Sequence, residues 1–418
     1  MFAPTRHTRL LQHPLRSLLS THQISHTQTS HFSSSPSSPS PSPSPSSHPP
    51  ISTHSSPSSS KNSSTANSTP DSRQPQTIFS GIQPTGIPHL GNYLGALRTW
   101  VSLQDSSPAS TNLFFSVVDL HAITLFQRPD DLRRWRREAL ASLLACGIRE
   151  ERCTVFWQGQ VAAHSELMWI LSCTASMGYL SRMTQWKSKL SLSDNTSPLD
   201  ESSKSKLKLG LFSYPVLQAA DILVHRATHV PVGEDQSQHL EFARECVTNF
   251  NHTYGCSHLV TPQTILSPTK RIMSLTSPTT KMSKSAPSPL SRILITDTPT
   301  AISQKISSAL TDSQNLVTWD PISRPGVSNL LTLLSSFDEH GRSPKELGEK
   351  LEREGMGLGA FKKLVGEAIG EGLSGVRERF DEAMREEGYV EEVARRGAKR
   401  ARESAEETMV LVREAVGL

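Results

Sequence analysis

The chain has 418 residues, 35% of them hydrophobic and 20% charged, with a formal net charge of +4. That length allows two or three domains and a sizeable core, while no run approaches the ~18 apolar residues of a membrane span. Five cysteines without a CxxC pair argue against a disulfide framework and a zinc knuckle.

Residues 1–70 are dominated by Ser, Pro, Thr and His and contain no acid; the first acidic residue is Asp71. Four of the 43 lysines and arginines lie there (Arg6, Arg9, Arg16 and Lys61), which leaves 39 basic against 39 acidic residues in the remainder. That remainder is not a polybasic nucleic-acid binder, so DNA is excluded as a partner and RNA contact must come from local patches. Arg6–Leu19 interleaves Leu10, Leu11, Leu15, Leu18 and Leu19 with arginine, close to a basic amphipathic helix. Such an Arg- and Ser-rich, acid-free segment has the composition of a transit peptide, here directed to the mitochondrial matrix. It cannot bury enough apolar surface to offset its ordering entropy, so residues 1–75 are expected to be a disordered transit peptide and linker.

Thr77–Ile82 predicts a buried strand, followed by a Gly/Pro-punctuated loop over Gly81–Gly91 and a helix over Asn92–Leu103. Leu113–Val118 predicts a second strand, Pro129–Ala145 a helix with Asp130 and Asp131 in its first turn, and Thr154–Trp157 a third strand. Strands alternating with helices mean βαβ units and a parallel sheet, with ligands beyond the carboxyl ends of the strands. Helices are expected over Ala163–Met177 and Leu180–Lys187, then a mobile polar loop over Ser188–Lys206. Leu211–Leu223 is apolar and carries one acid, Asp221; Thr228–Val232 reads as a strand and Asp235–Asn251 as a helix. Cys246, His252, Cys256 and His258 match no common zinc spacing. From Thr300 onward the pattern is helical and highly charged. The fold class is therefore α/β: a Rossmann-like parallel-sheet catalytic domain over 76–295 and an all-helical domain over 296–418.

Two segments carry chemistry. Gly81–Gly95 reads GIQPTGIPHLGNYLG, in which His89, Gly91 and Asn92 follow a strand and open a helix. Free N–H groups at a helix start favour phosphate, and a histidine and an amide there can bond phosphate oxygens as charge builds. No GxxxxGK[ST] is present, which excludes a P-loop. Lys281–Ser285 reads KMSKS, about 190 residues downstream; two lysines in a Ser-rich loop can close on a leaving pyrophosphate.

Together these segments resemble the two signature motifs of class I aminoacyl-tRNA synthetases, with Asn92 replacing the last histidine of the first motif. Ile78–Pro84, Gly91–Ala96, Asp119–Thr124, Ala219–Leu223, Val230–Gln236 and Arg271–Leu275 resemble the tryptophanyl-tRNA synthetases, over a stretch from about residue 77 to the C-terminus. The resemblance implies a homodimer that activates L-tryptophan with ATP and Mg²⁺ and transfers it to tRNA(Trp), with the helical domain binding the anticodon. It places His89, Asn92, Lys189, Lys281 and Lys284 in catalysis. Gln83, Pro84, Thr85, Gly91, Asn92, Gly233, Glu234, Asp235, Ile272, Lys281, Met282, Ser283, Lys284 and Ser285 would meet ATP. Phe79, Tyr214, Gln218, Asp221 and Gln236 would meet tryptophan, with Asp221 accepting from the indole N–H, a donor with no acceptor capacity. Gln218-Ala219-Ala220-Asp221 departs from the bacterial pattern and resembles the Gln/Asp pair of tyrosyl-tRNA synthetases, which makes tyrosyl specificity one alternative; a non-catalytic RNA-binding paralogue is another. Arg395, Arg396, Lys399, Arg400 and Arg402 form a basic cluster at helical spacing, read as a solvated charged face.

A fluorescent protein fused behind residues 1–70 is expected to concentrate in mitochondria; diffuse cytosolic fluorescence would contradict the targeting assignment.

Overall fold

The computed structural model describes residues 75–233, 236–266 and 271–418. The expected transit peptide lies outside the described residues. The described residues fall in one compact unit. Its centre is a five-stranded parallel sheet of β1 (Thr77–Ile82), β2 (Asn112–Val117), β3 (Thr154–Trp157), β4 (His229–Val232) and β5 (Gln263–Leu266), in the order β3-β2-β1-β4-β5. β1 runs in register with β2, Thr77 beside Asn112 and Ile82 beside Val117. β5 has no counterpart among the expected strands: QTIL is short and opens on a polar residue.

The helices in the first part are α1 (Leu90–Asn92), α2 (Arg98–Ser106), α3 (Asp119–Ala122), α4 (Pro129–Ala145), α5 (Ala163–Ser172), α6 (Met177–Arg182), α7 (Gln185–Lys189), α8 (Glu201–Lys204), α9 (Leu209–Leu223) and α10 (Ser237–Thr253). Then come α11 (Pro299–Ser307), α12 (Pro325–Ser335), α13 (Pro344–Arg353), α14 (Leu358–Gly372), α15 (Val376–Arg385) and α16 (Tyr389–Val416). α4 has its expected bounds, since Pro129 presets the first helical turn and the acids suit its positive end. The helix expected over Asn92–Leu103 starts earlier, at Leu90, and a π-helical stretch, Tyr93–Leu97, joins α1 to α2. The segment expected to be mobile over Ser188–Lys206 instead carries the end of α7 and all of α8. No helix among the described residues is long and apolar enough to cross a membrane.

Alternating strand residues feed two cores. Ile78, Phe115, Val155 and Trp157 pack with α2, α4 and the helices α11–α15. Phe79, Phe114 and Phe156 pack with α5, α9 and α10 on the other face. Burial on both faces explains why the strands read as near-continuous apolar runs. α16 joins the two cores: Val390, Val393 and Ala394 belong to the first, and Ala398, Ala401, Ala405, Met409 and Val412 to the second.

α16 makes that crossing over β3, the edge of the sheet. Gly397 allows it, because a Cβ there would stand 1.7 Å from the Val155 carbonyl oxygen. Carbonyls on either side of β3 are taken by arginine: Arg400 donates to the Glu150 and Cys153 oxygens at 2.7 and 3.0 Å, and Arg402 to that of Gln160 at 2.9 Å. Arg396 pairs with Glu150, Arg395 with Glu392, and Lys399 with Glu403. The basic cluster of the sequence is thus partly a fastening that holds α16 over the edge strand through the segments on either side of it.

Gly397→Ala is expected to destabilise the fold by about 3 kcal/mol through overpacking, read by urea denaturation; a loss well under 1 kcal/mol would place α16 farther from β3.

Candidate active site

Between β1 and β4 the order of strand addition reverses, and the carboxyl ends of these two strands open a cleft of about 1080 Å³. Parallel sheets bind ligands at such a switch point. Two groups of side chains meet there.

The first group begins at His89, which caps α1. Its Nδ1 accepts from the Asn92 backbone N–H at 3.3 Å, and the Asn92 side-chain oxygen accepts from the His89 N–H at 3.2 Å. This reciprocal box locks the entry to the helix. Gly91 lies close beneath it, where a Cβ would stand 3.0 Å from the imidazole. His89 is 5% exposed. Burial, helped by the charges of Lys284, Arg292 and Lys281, lowers its pKa to about 4, so the ring is neutral at physiological pH. With Nδ1 accepting, the proton of the neutral ring sits on Nε2, which makes Nε2–H the free donor.

The KMSKS segment is folded back on the strand-like run before it: Met273 bridges Lys281, and Met282 N–H donates to the Ile272 oxygen at 3.0 Å. Asn329 of α12 holds the other edge, its amide both accepting from the Met273 N–H and donating to the Met273 oxygen at 3.1 Å. Arg271, Ile272, Lys281 and Met282 line the cleft with His89, Gly91, Asn92, Gln83 and Gly233. Lys284 turns instead to the Gly86 oxygen at 2.6 Å. Burial pushes its pKa down to about 8, against the pull of the Glu138 carboxylate. Pro84, Thr85, Ser283 and Ser285 do not line the cleft. Glu234 and Asp235 lie outside the described residues.

The second group surrounds Asp221, which is 1% exposed. Its Oδ2 accepts from His121 Nε2 at 2.8 Å, and its Oδ1 from Gln158 Nε2 at 2.5 Å and His164 Nδ1 at 2.7 Å. Burial opposes ionisation, but bonds from His121 and His164 outweigh it and hold the pKa at about 2. The site is therefore a buried, permanently ionised carboxylate satisfied by donors, the condition under which such burial is tolerated. Phe79, Tyr214, Gln218, Gln236 and Lys189 line the same cleft. The Tyr214 hydroxyl is occupied: it donates to Gln185 Oε1 at 2.9 Å and meets His239 Nε2 at 3.0 Å. Gln218 donates to Gln236 Oε1 at 3.2 Å. Lys189, expected in a mobile loop, ends α7; its ammonium lies 4.3 Å from the Tyr214 ring centre, and burial lowers its pKa.

Sequence reasoning missed His121, Gln158, His164, Arg271 and Asn329. Gln158 follows β3 directly, at the carboxyl end of a parallel strand where ligands are expected. The residues Cys246, His252, Cys256 and His258 do not converge: Cys246 is buried in the core, and the Cys256 thiol donates to Asn251 Oδ1 at 3.6 Å.

A sequence profile described as "tRNA synthetases class I (W and Y)" matches residues 71–374. The mitochondrial tryptophan–tRNA ligase of Saccharomyces cerevisiae is 45% identical over 347 residues, covering 82% of this chain and 90% of that protein. The chain belongs to the class I tryptophanyl-tRNA synthetases. It is of mitochondrial type: the mitochondrial ligase of Schizosaccharomyces pombe is 43% identical over 82% of this chain and 95% of that one. The crystal structure of the Campylobacter jejuni tryptophanyl-tRNA synthetase complexed with ADP and tryptophan superposes with a TM-score of 0.67, at 31% identity, over 82% of this chain and all of that one.

In a synthetase of this class ATP is a substrate, and Lys284 carries full charge only below about pH 8. Its kcat/KM for ATP in pyrophosphate exchange, at saturating tryptophan, is expected to fall as pH rises through that value. Lys284→Arg, which keeps its charge, should lack this decline; the same alkaline limb in both enzymes would contradict the role given to Lys284.

Proposed function

We propose that the cleft activates tryptophan with ATP and then transfers it to tRNA, one group of residues holding the amino acid and the other the nucleotide. The observation that carries this reading is the buried ionised Asp221 in the same cleft as the neutral His89 and Lys281. Asp221 receives the indole N–H, and Phe79 packs against the ring. An unpaired carboxylate would remain if phenylalanine bound, so phenylalanine is rejected. Gln236 and Gln218 reach the substrate's polar backbone; Tyr214, its hydroxyl engaged, supports Lys189 with its ring.

The tryptophan carboxylate attacks the α-phosphorus of ATP in line, and the bond to the bridging oxygen of pyrophosphate breaks. His89 Nε2–H and the Asn92 amide donate to phosphate oxygens. Lys281 and Lys284, with Met282, Ser283 and Ser285 of their loop, close on the departing pyrophosphate, and Lys189 adds charge from α7. Mg²⁺ would accompany ATP, held by the nucleotide rather than by a dedicated cage of protein ligands, and would supply positive charge to the phosphates beside Lys281 and Lys284. Gln83, Pro84, Thr85, Gly91, Gly233, Glu234, Asp235 and Ile272 seat the nucleoside side. A hydroxyl of the terminal adenosine of tRNA(Trp) then attacks the adenylate carbonyl and AMP leaves. Catalysis is positioning and charge stabilisation, with no covalent enzyme intermediate.

The residues 296–418 bind the anticodon in this reading, and the enzyme works in the mitochondrial matrix. Trp169, Met177 and Leu209 stay 71%, 66% and 78% exposed on the neighbouring helices α5, α6 and α9. These large apolar side chains are ones that a homodimer would cover.

The chain lacking residues 1–70 is expected to exchange pyrophosphate into ATP with tryptophan and not with tyrosine. Exchange with tyrosine alone would overturn the assignment of the amino acid.

A further inference from the structure

The two oxygens of Asp221 face unequal surroundings. Oδ1 accepts from Gln158 and His164, both fully buried and both outside the lining of the cleft. Oδ2 accepts from His121, which does line the cleft. A carboxylate oxygen offers about two lone-pair directions. Oδ1 is therefore saturated from behind, while Oδ2 keeps one direction open.

His164 is held rigidly for this task. Its ring centre lies 5.8 Å from Phe156, 6.4 Å from Phe79 and 5.2 Å from His225. His225 in turn lies 4.4 Å from Phe114 in a stacked arrangement, and its Nδ1 meets the Ser404 hydroxyl of α16 at 3.2 Å. An ionised carboxylate only accepts, so the proton of His164 is on Nδ1. Its Nε2 is buried and without a hydrogen-bond partner among the described residues. Leaving a buried polar atom unpaired is unfavourable, and an apolar side chain would fill this aromatic cage without that penalty. The histidine is explained by what its other nitrogen holds.

We propose that His164 is a specificity-determining positioning residue for amino-acid activation: with Gln158 it saturates Oδ1 and stops Asp221 rotating, so that the open direction of Oδ2 is aimed into the cleft at a ring N–H. The substrate class this geometry selects is an amino acid with a flat apolar side chain bearing one N–H donor. The proposal rests on the reading of Asp221 as the acceptor for that N–H. Without the Nδ1–H, Oδ1 has an unfilled direction, the carboxylate can turn, and a substrate with the donor loses its advantage over one without it.

The test is pyrophosphate exchange by the full chain with tryptophan and with its benzothiophene analogue, in which sulfur replaces the ring N–H. The readout is the ratio of the two kcat/KM values, which a general loss of folded enzyme does not move. The native ratio is expected to be on the order of 10³ or more, and His164→Leu to cut it at least about tenfold. His164→Asn, whose amide N–H stands where Nδ1–H stood, is expected to restore it to within about threefold. If His164→Leu does not fold, His164→Gln, whose amide reaches past that position, is compared with His164→Asn instead. Asp221→Asn is measured alongside. A native ratio in Asp221→Asn would sink the reading of Asp221 itself. A collapsed ratio there with a native ratio in His164→Leu (or its Gln replacement) would overturn the role of His164 alone.

Discussion

A negative charge sealed inside the apolar half of the cleft is the constraint on which the site depends. A carboxylate that cannot reach water must either gain a proton or be given donors. Asp221 is given three, from His121 on α3, Gln158 beyond β3 and His164 on α5. Each comes from a different element, so the charge is stable only when β2, β3, α5 and α9 are already packed. The same arrangement that makes the ion tolerable also aims it, because donors on one oxygen leave the other free for a ligand.

The phosphate side of the cleft is built on the opposite electrostatic plan. There the histidine is kept neutral, and the nearby cations help keep it so. A neutral imidazole with its Nδ1 tied to the helix start is a donor of fixed direction. Lys284 sits close to its titration point because burial weakens its hold on the proton. Approach of a polyphosphate would restore that hold, since an opposite charge favours the charged form. The loop carrying it is anchored from α12 through Asn329, so the helical part of the chain contributes to the geometry of the nucleotide end.

α16 links these regions mechanically. It starts in the core beside α4, crosses the edge of the sheet at Gly397 and ends against the core that holds Asp221. Through Ser404 it touches His225, and through the His225 ring the cage around His164. Arg413 pairs with Glu166 of α5 at 2.6 and 2.8 Å and fixes its far end.

Much of this was legible in the chain. Thr77–Ile82, Pro129–Ala145 and Thr154–Trp157 form with the bounds their local signals imply, because strand runs buried on both faces and a Pro-Asp-Asp helix start are local features. The two motifs, and Asp221 as an acid in an apolar run, were also visible, since residue type and short spacing determine what such groups can do. Other features were decided by tertiary structure. The donors to Asp221 lie 100, 63 and 57 residues away in the chain, and no local pattern pairs them with that acid. The arginines of α16 looked like a solvated face until β3 came to lie beneath them. Tyr214 was expected to meet tryptophan, but its hydroxyl is engaged by Gln185 and His239 from other elements. Local spacing determines which groups a helix or strand presents; which of them become paired depends on contacts between distant segments, and those exist only once the sheet and its helices have closed around the cleft.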